Sequence, residues 1–207
     1  MRERCTNAAF VTADLDLERG RATRIGGGRL LPGARHDMFG LLVYHPASHR
    51  LTAILRMPDG RLLNEELRVP ERQWHLYDFD LASLTVTAQY RRDRRAGFGF
   101  GLPLILVGEG PGPSLRHLGR AELRFVRQET LGGRRALRFE AGGPAFGGRG
   151  GPIWFDSDEG HILAAQWGIP NHSEYRDFAL RLTGVNDGGA GEWRRLLAAH
   201  FEGCPRS

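Results

Sequence analysis

The feature that most constrains this chain is a succession of short, evenly spaced segments between Glu122 and Val185, parted by glycine-bearing turns. Glu122 to Glu129 and Arg134 to Ala141 flank Leu131-Gly132-Gly133, while Pro152 to Asp156 and His161 to Trp167 flank Ser157-Asp158-Glu159-Gly160. Asp177 to Val185 then sets Phe178, Leu180 and Leu182 against Asp177, Arg181 and Thr183. Successive side chains of a strand point to opposite faces, so alternation punctuated by turns at this spacing describes an antiparallel β-meander.

The first half reads the same way. In Met57-Pro58-Asp59-Gly60-Arg61 the proline fixes one corner of a turn and the glycine frees the other, so Leu51 to Met57 and Leu62 to Val69 form a hairpin. Residues 8–18 and Phe39 to Tyr44 are further strands, and Arg19 to Arg35, with Gly26-Gly27-Gly28, reads as a flexible glycine-rich connection. Trp74 to Asp80 alternates in part. Ser83 to Tyr90 alternates Leu84, Val86, Ala88 and Tyr90 against polar neighbours, which predicts a strand.

Arg91 to Arg95 marks a charged turn or sheet edge, and residues 108–114 an irregular loop. In Gly97 to Pro103 glycines alternate with bulky apolar groups, the pattern of a strongly curved strand. Glu192 to Phe201 places Trp193, Leu196, Leu197 and Phe201 on one helical stripe, which predicts a helix packed on the sheet or plugging one end. The expectation is a mainly β protein: one domain over 1–207, with antiparallel β over 8–185 as a single curved sheet or half-open β-barrel, and a short C-terminal helix over 190–202.

Composition narrows the function classes. A hydrophobic fraction of 41% and a charged fraction of 26% are those of an ordinary globular domain. No apolar run approaches the roughly 18 residues of a membrane span. All 29 basic residues are arginine, scattered from Arg2 to Arg206 rather than gathered on one stretch, so nucleic acid is not an expected partner despite a formal charge of +5. Cys5 and Cys204 are too few for a zinc cluster and leave two alternatives, a clasp between the ends or two free thiols. Met1 to Asn7 lacks the apolar core of a secretory signal, which as written points to the cytoplasm.

Candidate chemistry is sparse. Asp156, Asp158, Glu159 and His161 gather oxygen and imidazole groups in one turn but lack calcium-loop spacing, so no metal is expected. His172 and Tyr175 lie in the polar link from Pro170 to Asp177, where an oriented imidazole could act as acid or base. The neighbours His36 and Asp37 would face opposite ways on a strand. Neither a nucleophile elbow nor a His-Glu-x-x-His helix occurs, and no Gly-Lys-Ser/Thr follows the glycine triplet. No cofactor is expected. The candidate acid or base residues are therefore Asp156, His161, His172 and Tyr175.

The succession Leu118-Gly119-Arg120-Ala121-Glu122-Leu123-Arg124-Phe125, Arg134-Arg135-Ala136-Leu137-Arg138-Phe139, then Ile153-Trp154-Phe155-Asp156 with Gly160-His161-Ile162-Leu163, resembles the uncharacterised exported antiparallel-β proteins of Gram-negative bacteria. These are broadly similar to the periplasmic lipoprotein carriers that hold acyl chains on a concave apolar face. The resemblance covers roughly residues 70–185. It implies a half-barrel, a periplasmic location, and a binding module for a lipid or other hydrophobic small molecule. The residues assigned to that ligand are Phe98, Phe100, Leu102, Leu104, Trp154 and Trp167. The alternative is a small-molecule enzyme of isomerase, cyclase or hydrolase type working with a single acid or base in a β-barrel cavity.

Overall fold

Apolar residues at every second position build two antiparallel meanders in succession. The computed structural model describes residues 5, 8–32, 35–57, 59–106 and 114–204. The first meander is a five-stranded sheet, β1 (Ala8–Asp16), β2 (Arg21–Leu31), β3 (Arg35–His45), β4 (Arg50–Arg56) and β5 (Leu62–Arg68), paired in that order. The second is a six-stranded sheet in which β6 (Phe98–Ile105), β7 (Leu115–Leu131), β8 (Arg134–Gly142), β9 (Gly151–Asp156), β10 (Ile162–Trp167) and β11 (Phe178–Arg181) again pair with their neighbours in sequence. One of the two sheets curls into a half-barrel.

Local chemistry explains the hairpins. Gly132 and Gly133, at φ of 57° and 81°, make the two-residue turn between β7 and β8. Positive φ at both corners gives the turn whose twist matches that of the flanking strands. Met57 donates its N–H to the carbonyl of Arg61 and accepts from Gly60, which closes the hairpin from β4 to β5; Pro58 of the expected turn lies outside the described residues.

The sheets meet along the segment from Val69 to Leu81. Trp74 forms isolated bridges to Arg21 of β2 and Gly101 of β6 and is buried in the core of the first sheet. Three residues on, Tyr77 is buried in the core of the second, where its hydroxyl donates to the carbonyl of Ile169 and accepts from the Trp167 indole. Glu65 of β5 adds a polar strut: its two carboxylate oxygens accept the backbone N–H groups of Ser114 (3.0 Å) and Leu115 (2.6 Å). The bend expected near Phe98–Leu102 coincides with a break in register between Gly101 and Pro103, where a bulge increases local twist.

Several expectations are corrected. Ser83 to Tyr90 is not a strand but most of helix α1 (Ala82–Tyr90). Its buried residues, Leu84, Thr87 and Ala88, follow helical rather than alternating spacing. Packing of that face against the cores overrides the strand preference of its β-branched residues. Arg19 to Arg35 is no flexible connection, because Arg21–Leu31 is a full strand with the glycine triplet at its centre. The last strand stops at Arg181, and 182–188 runs on without regular structure to α2 (Gly189–Phe201).

Helix α2 forms where expected but does not plug the sheet. It buries none of its residues, and Trp193 remains 47% exposed. Cys5 and Cys204 form a disulfide, and Cys5 donates its N–H to the carbonyl of His200, so the clasp fastens the helix to the chain before β1. Of the expected loop at 108–114, all but Ser114 lies outside the described residues.

Candidate functional site

The residues singled out from sequence fall into three places. Phe100, Leu102, Leu104 and Trp167 are buried in the core of the second sheet, with Phe98 packed against it. Trp154 is half-buried on β9, its indole N–H donating to Glu129 and its ring 5.7 Å from the Arg138 guanidinium. These six residues fill or flank a packed core, and none of them lines the cleft against the first sheet.

Asp156 and His161 sit at the hairpin between β9 and β10. Asp156 accepts backbone N–H groups from Asp158 (2.8 Å) and Glu159 (2.9 Å) and a bond from Arg134 (3.2 Å). Burial alone would raise its carboxyl, but these donors hold it below the ordinary aspartate value. His161 lies 3.3 Å from Glu159 and 3.4 Å from Gln89. The arrangement ties a tight turn together. His172 and Tyr175 lie beyond the other end of β10, roughly 20 Å away at strand rise, with their rings edge to face at 5.1 Å. The four acid or base candidates thus form two separate pairs. Among the described residues, no three His, Cys, Asp or Glu side chains gather as metal ligands.

A cavity lies against the first sheet. It is an open cleft of about 850 Å³ between the inner face of β2 to β4, the segment Leu76–Phe79, residues Ile105 and Leu106, and the loop Asn171–Glu174. Its geometry follows from strand parity. Ile25, Gly27 and Arg29 of β2 face the cleft at every second position. On β3 the register slips between Gly27 and Gly28, whose partners are Gly40 and Met38. Phe39 is therefore the extra residue of a β-bulge, and the bulge re-aims it so that Asp37, Phe39, Gly40 and Leu42 all reach the same cavity.

Two glycines, Gly27 and Gly40, stand opposite each other on the floor. A Cβ on Gly27 would lie 3.3 Å from the Phe79 ring, and one on Gly40 would lie 3.1 Å from Leu55. The missing side chains are what let Phe79 and Leu55 pack directly over the two glycines. Phe79 itself sits in the left-handed region, φ 48°, unusual for a bulky residue, with its N–H held by Asp78 Oδ1 at 2.7 Å. Local strain of this kind persists only where surrounding structure enforces it, and it clusters at functional sites.

Polar groups also line the cleft. His172 Nε2 lies 3.4 Å from Asp78 Oδ1, which joins the loop to the segment before α1. Asn171 is buried, at 5% exposure. Across the cleft, Arg56 pairs with Asp37 and bonds the carbonyl of Met38 at 3.0 Å. Arg29 is exposed, its guanidinium 5.9 Å from the Phe39 ring.

Of the sequence candidates, only His172 lies in this wall. Arg29, Asp78, Phe79 and Asn171 were missed, as were the paired glycines. The available signal was glycine set inside apolar strand sequence, which marks close approach or an opening. No family model, curated protein or solved structure matches the chain.

Proposed function

We propose that the protein is a binding module that holds a lipid or other hydrophobic small molecule, and that the ligand lies in the cleft of the first sheet. The observation that carries this reading is the cleft of about 850 Å³ itself, lined by Ile25, Leu42, Leu55 and two facing glycines together with polar side chains such as Asp78 and Asn171. Ligand sites are typically apolar concavities of this size with a few placed polar groups. The disulfide supports an oxidising compartment, in line with the periplasmic location that the resemblance implies.

The test has two arms. Native mass spectrometry of the purified protein, before and after solvent extraction, should show a lipid-sized adduct that extraction removes. Straight-chain primary alcohols should then bind the extracted protein with affinity rising about fourfold per methylene, the equivalent of about 0.8 kcal/mol per buried CH₂. The substitution Gly27→Leu, which places a side chain against Phe79, should abolish binding while the protein stays folded. Lack of any adduct together with lack of chain-length dependence would refute the reading.

One observation favours a second reading, the small-molecule enzyme: the His172–Asp78 pair in the cleft wall can orient an imidazole as acid or base. Its signature would be turnover of a bound ligand that His172→Gln abolishes without weakening binding.

A further inference from the structure

We propose a separate binding site, independent of the cleft: the pocket between the β1–β2 turn and the C-terminal end of α1 takes a small oxyanion of phosphate type, held by Arg91 with Arg92 beside it.

The run Arg91-Arg92-Asp93-Arg94-Arg95 divides in two. Arg94 donates to the carbonyls of Gln89, Ser157 and Asp158, and Arg95 donates to the Gln128 carboxamide at 2.6 Å, so these two fix the turn to its neighbours. Arg91 and Arg92 instead line a pocket of about 320 Å³, whose other walls are Leu17–Gly20, Gln73, and Thr87 and Tyr90 of α1. A volume at the small end of ligand sites holds one small molecule, so its walls act on the same ligand. Both carboxylates in those walls are engaged. Glu18 lies 3.5 Å from Arg19, which also binds Asp16 at 3.2 Å, and Asp93 accepts the backbone N–H of Arg95 at 2.8 Å.

Arg91 is the group left uncompensated. Its guanidinium lies 4.1 Å from the Phe98 ring and its Nη2 donates to the Ala96 carbonyl at 3.2 Å, which fixes the plane. Its Nε is enclosed without an acceptor, and no carboxylate lies within ion-pair distance of Arg91 among the described residues. Burial holds its pKa below the ordinary arginine value, an effect that Asp93 only partly offsets. A guanidinium does not give up its proton in a protein, so a charge withdrawn from water in this way is stabilised by an anion instead. Arg92, its Cα about 3.8 Å away along the chain, adds a second guanidinium with no carboxylate partner among the described residues. The Gln73 carboxamide and the Thr87 hydroxyl stand in other walls of the pocket. Donors set in separate walls suit a tetrahedral oxyanion better than a planar carboxylate, which one guanidinium satisfies. Tyr90, 65% exposed, offers a ring beside the pocket to the organic part of a phosphate ester.

The experiment is isothermal titration of the full-length, disulfide-bonded protein at pH 8 and low salt with inorganic phosphate, phenyl phosphate and acetate. At least one of the two phosphates should bind saturably with Kd below about 1 mM, and acetate at least about tenfold more weakly. Tighter binding of phenyl phosphate assigns the site to an ester; inorganic phosphate binding as tightly or more so assigns it to the free anion. Arg91→Gln and Arg92→Gln should each weaken binding about tenfold, the worth of one charge-assisted hydrogen bond. Arg92 is exposed, so its variant reports on the site and not on folding. Arg95→Gln removes the same charge from the same turn but outside the pocket, and should change affinity less than about twofold. Lack of saturable phosphate binding, acetate binding as tightly as phosphate, full affinity in Arg92→Gln, or an equal loss in Arg95→Gln would overturn the proposal, and none of these results bears on the cleft.

Discussion

His75 gives the sharpest test of the packing described above. Its ring is completely buried between Gln73 Nε2 (3.3 Å) and Ser83 Oγ (3.0 Å), edge-on to Phe100. Burial pushes its pKa from the ordinary 6.5 down to about 3. A histidine depressed in the folded state contributes fully above the unfolded value, and its contribution is lost as pH falls from 6.5 toward 3, because over that window only the unfolded chain takes up the proton. Each pH unit in the window is worth about 1.4 kcal/mol, so the complete loss approaches about 5 kcal/mol, and the loss between pH 8 and pH 5 is about 2 kcal/mol. Urea unfolding of the wild type and of His75→Gln at both pH values isolates this share, since every other titrating group is common to the two proteins. The wild type should lose about 2 kcal/mol more than the variant on going to pH 5. Equal losses would refute the assignment of a buried neutral imidazole.

Two further outcomes follow from the junctions of the fold. Glu65→Ala leaves the N–H groups of Ser114 and Leu115 without their carboxylate, and at about 1.5 kcal/mol for each charge-assisted bond it should cost about 3 kcal/mol in denaturant unfolding; a cost under about 0.5 kcal/mol would show that the strut does not hold the sheets together. Cys204→Ser should release α2, which buries no side chain and, at 13 residues, is marginal as an isolated helix. Hydrogen exchange should then lose protection across Gly189–Phe201 while the sheet amides keep theirs, and a protected helix in the variant would contradict this.

Much of the second sheet was legible because its hairpins combine two local signals, alternation and a glycine turn, as at Leu131–Arg134. The helix at Ala82–Tyr90 was not legible, because Leu84, Val86 and Ala88 satisfy alternation while Leu84, Thr87 and Ala88 satisfy helical spacing, and only the cores packed around the segment choose between them. The strand at Arg21–Leu31 was hidden for a related reason. Its glycine triplet has the composition of a loop, and what makes it a strand is pairing with β1 on one side and β3 on the other. The cleft was the least accessible feature: it depends on Gly27 facing Gly40 and on a bulge that turns Phe39 inward, both properties of register between strands. No local pattern records which residues end up opposite each other.

The disulfide has a topological consequence. Cys5 and Cys204 are separated by 199 positions, so their bond turns nearly the whole described polypeptide, both sheets included, into one covalent ring. A single peptide-bond cut anywhere inside that ring opens it without dividing it. A protease nicking one exposed loop leaves two segments that remain one molecule, each still tethered beside its partner strands and able to re-pair with them, until a reductant parts the two sulfurs.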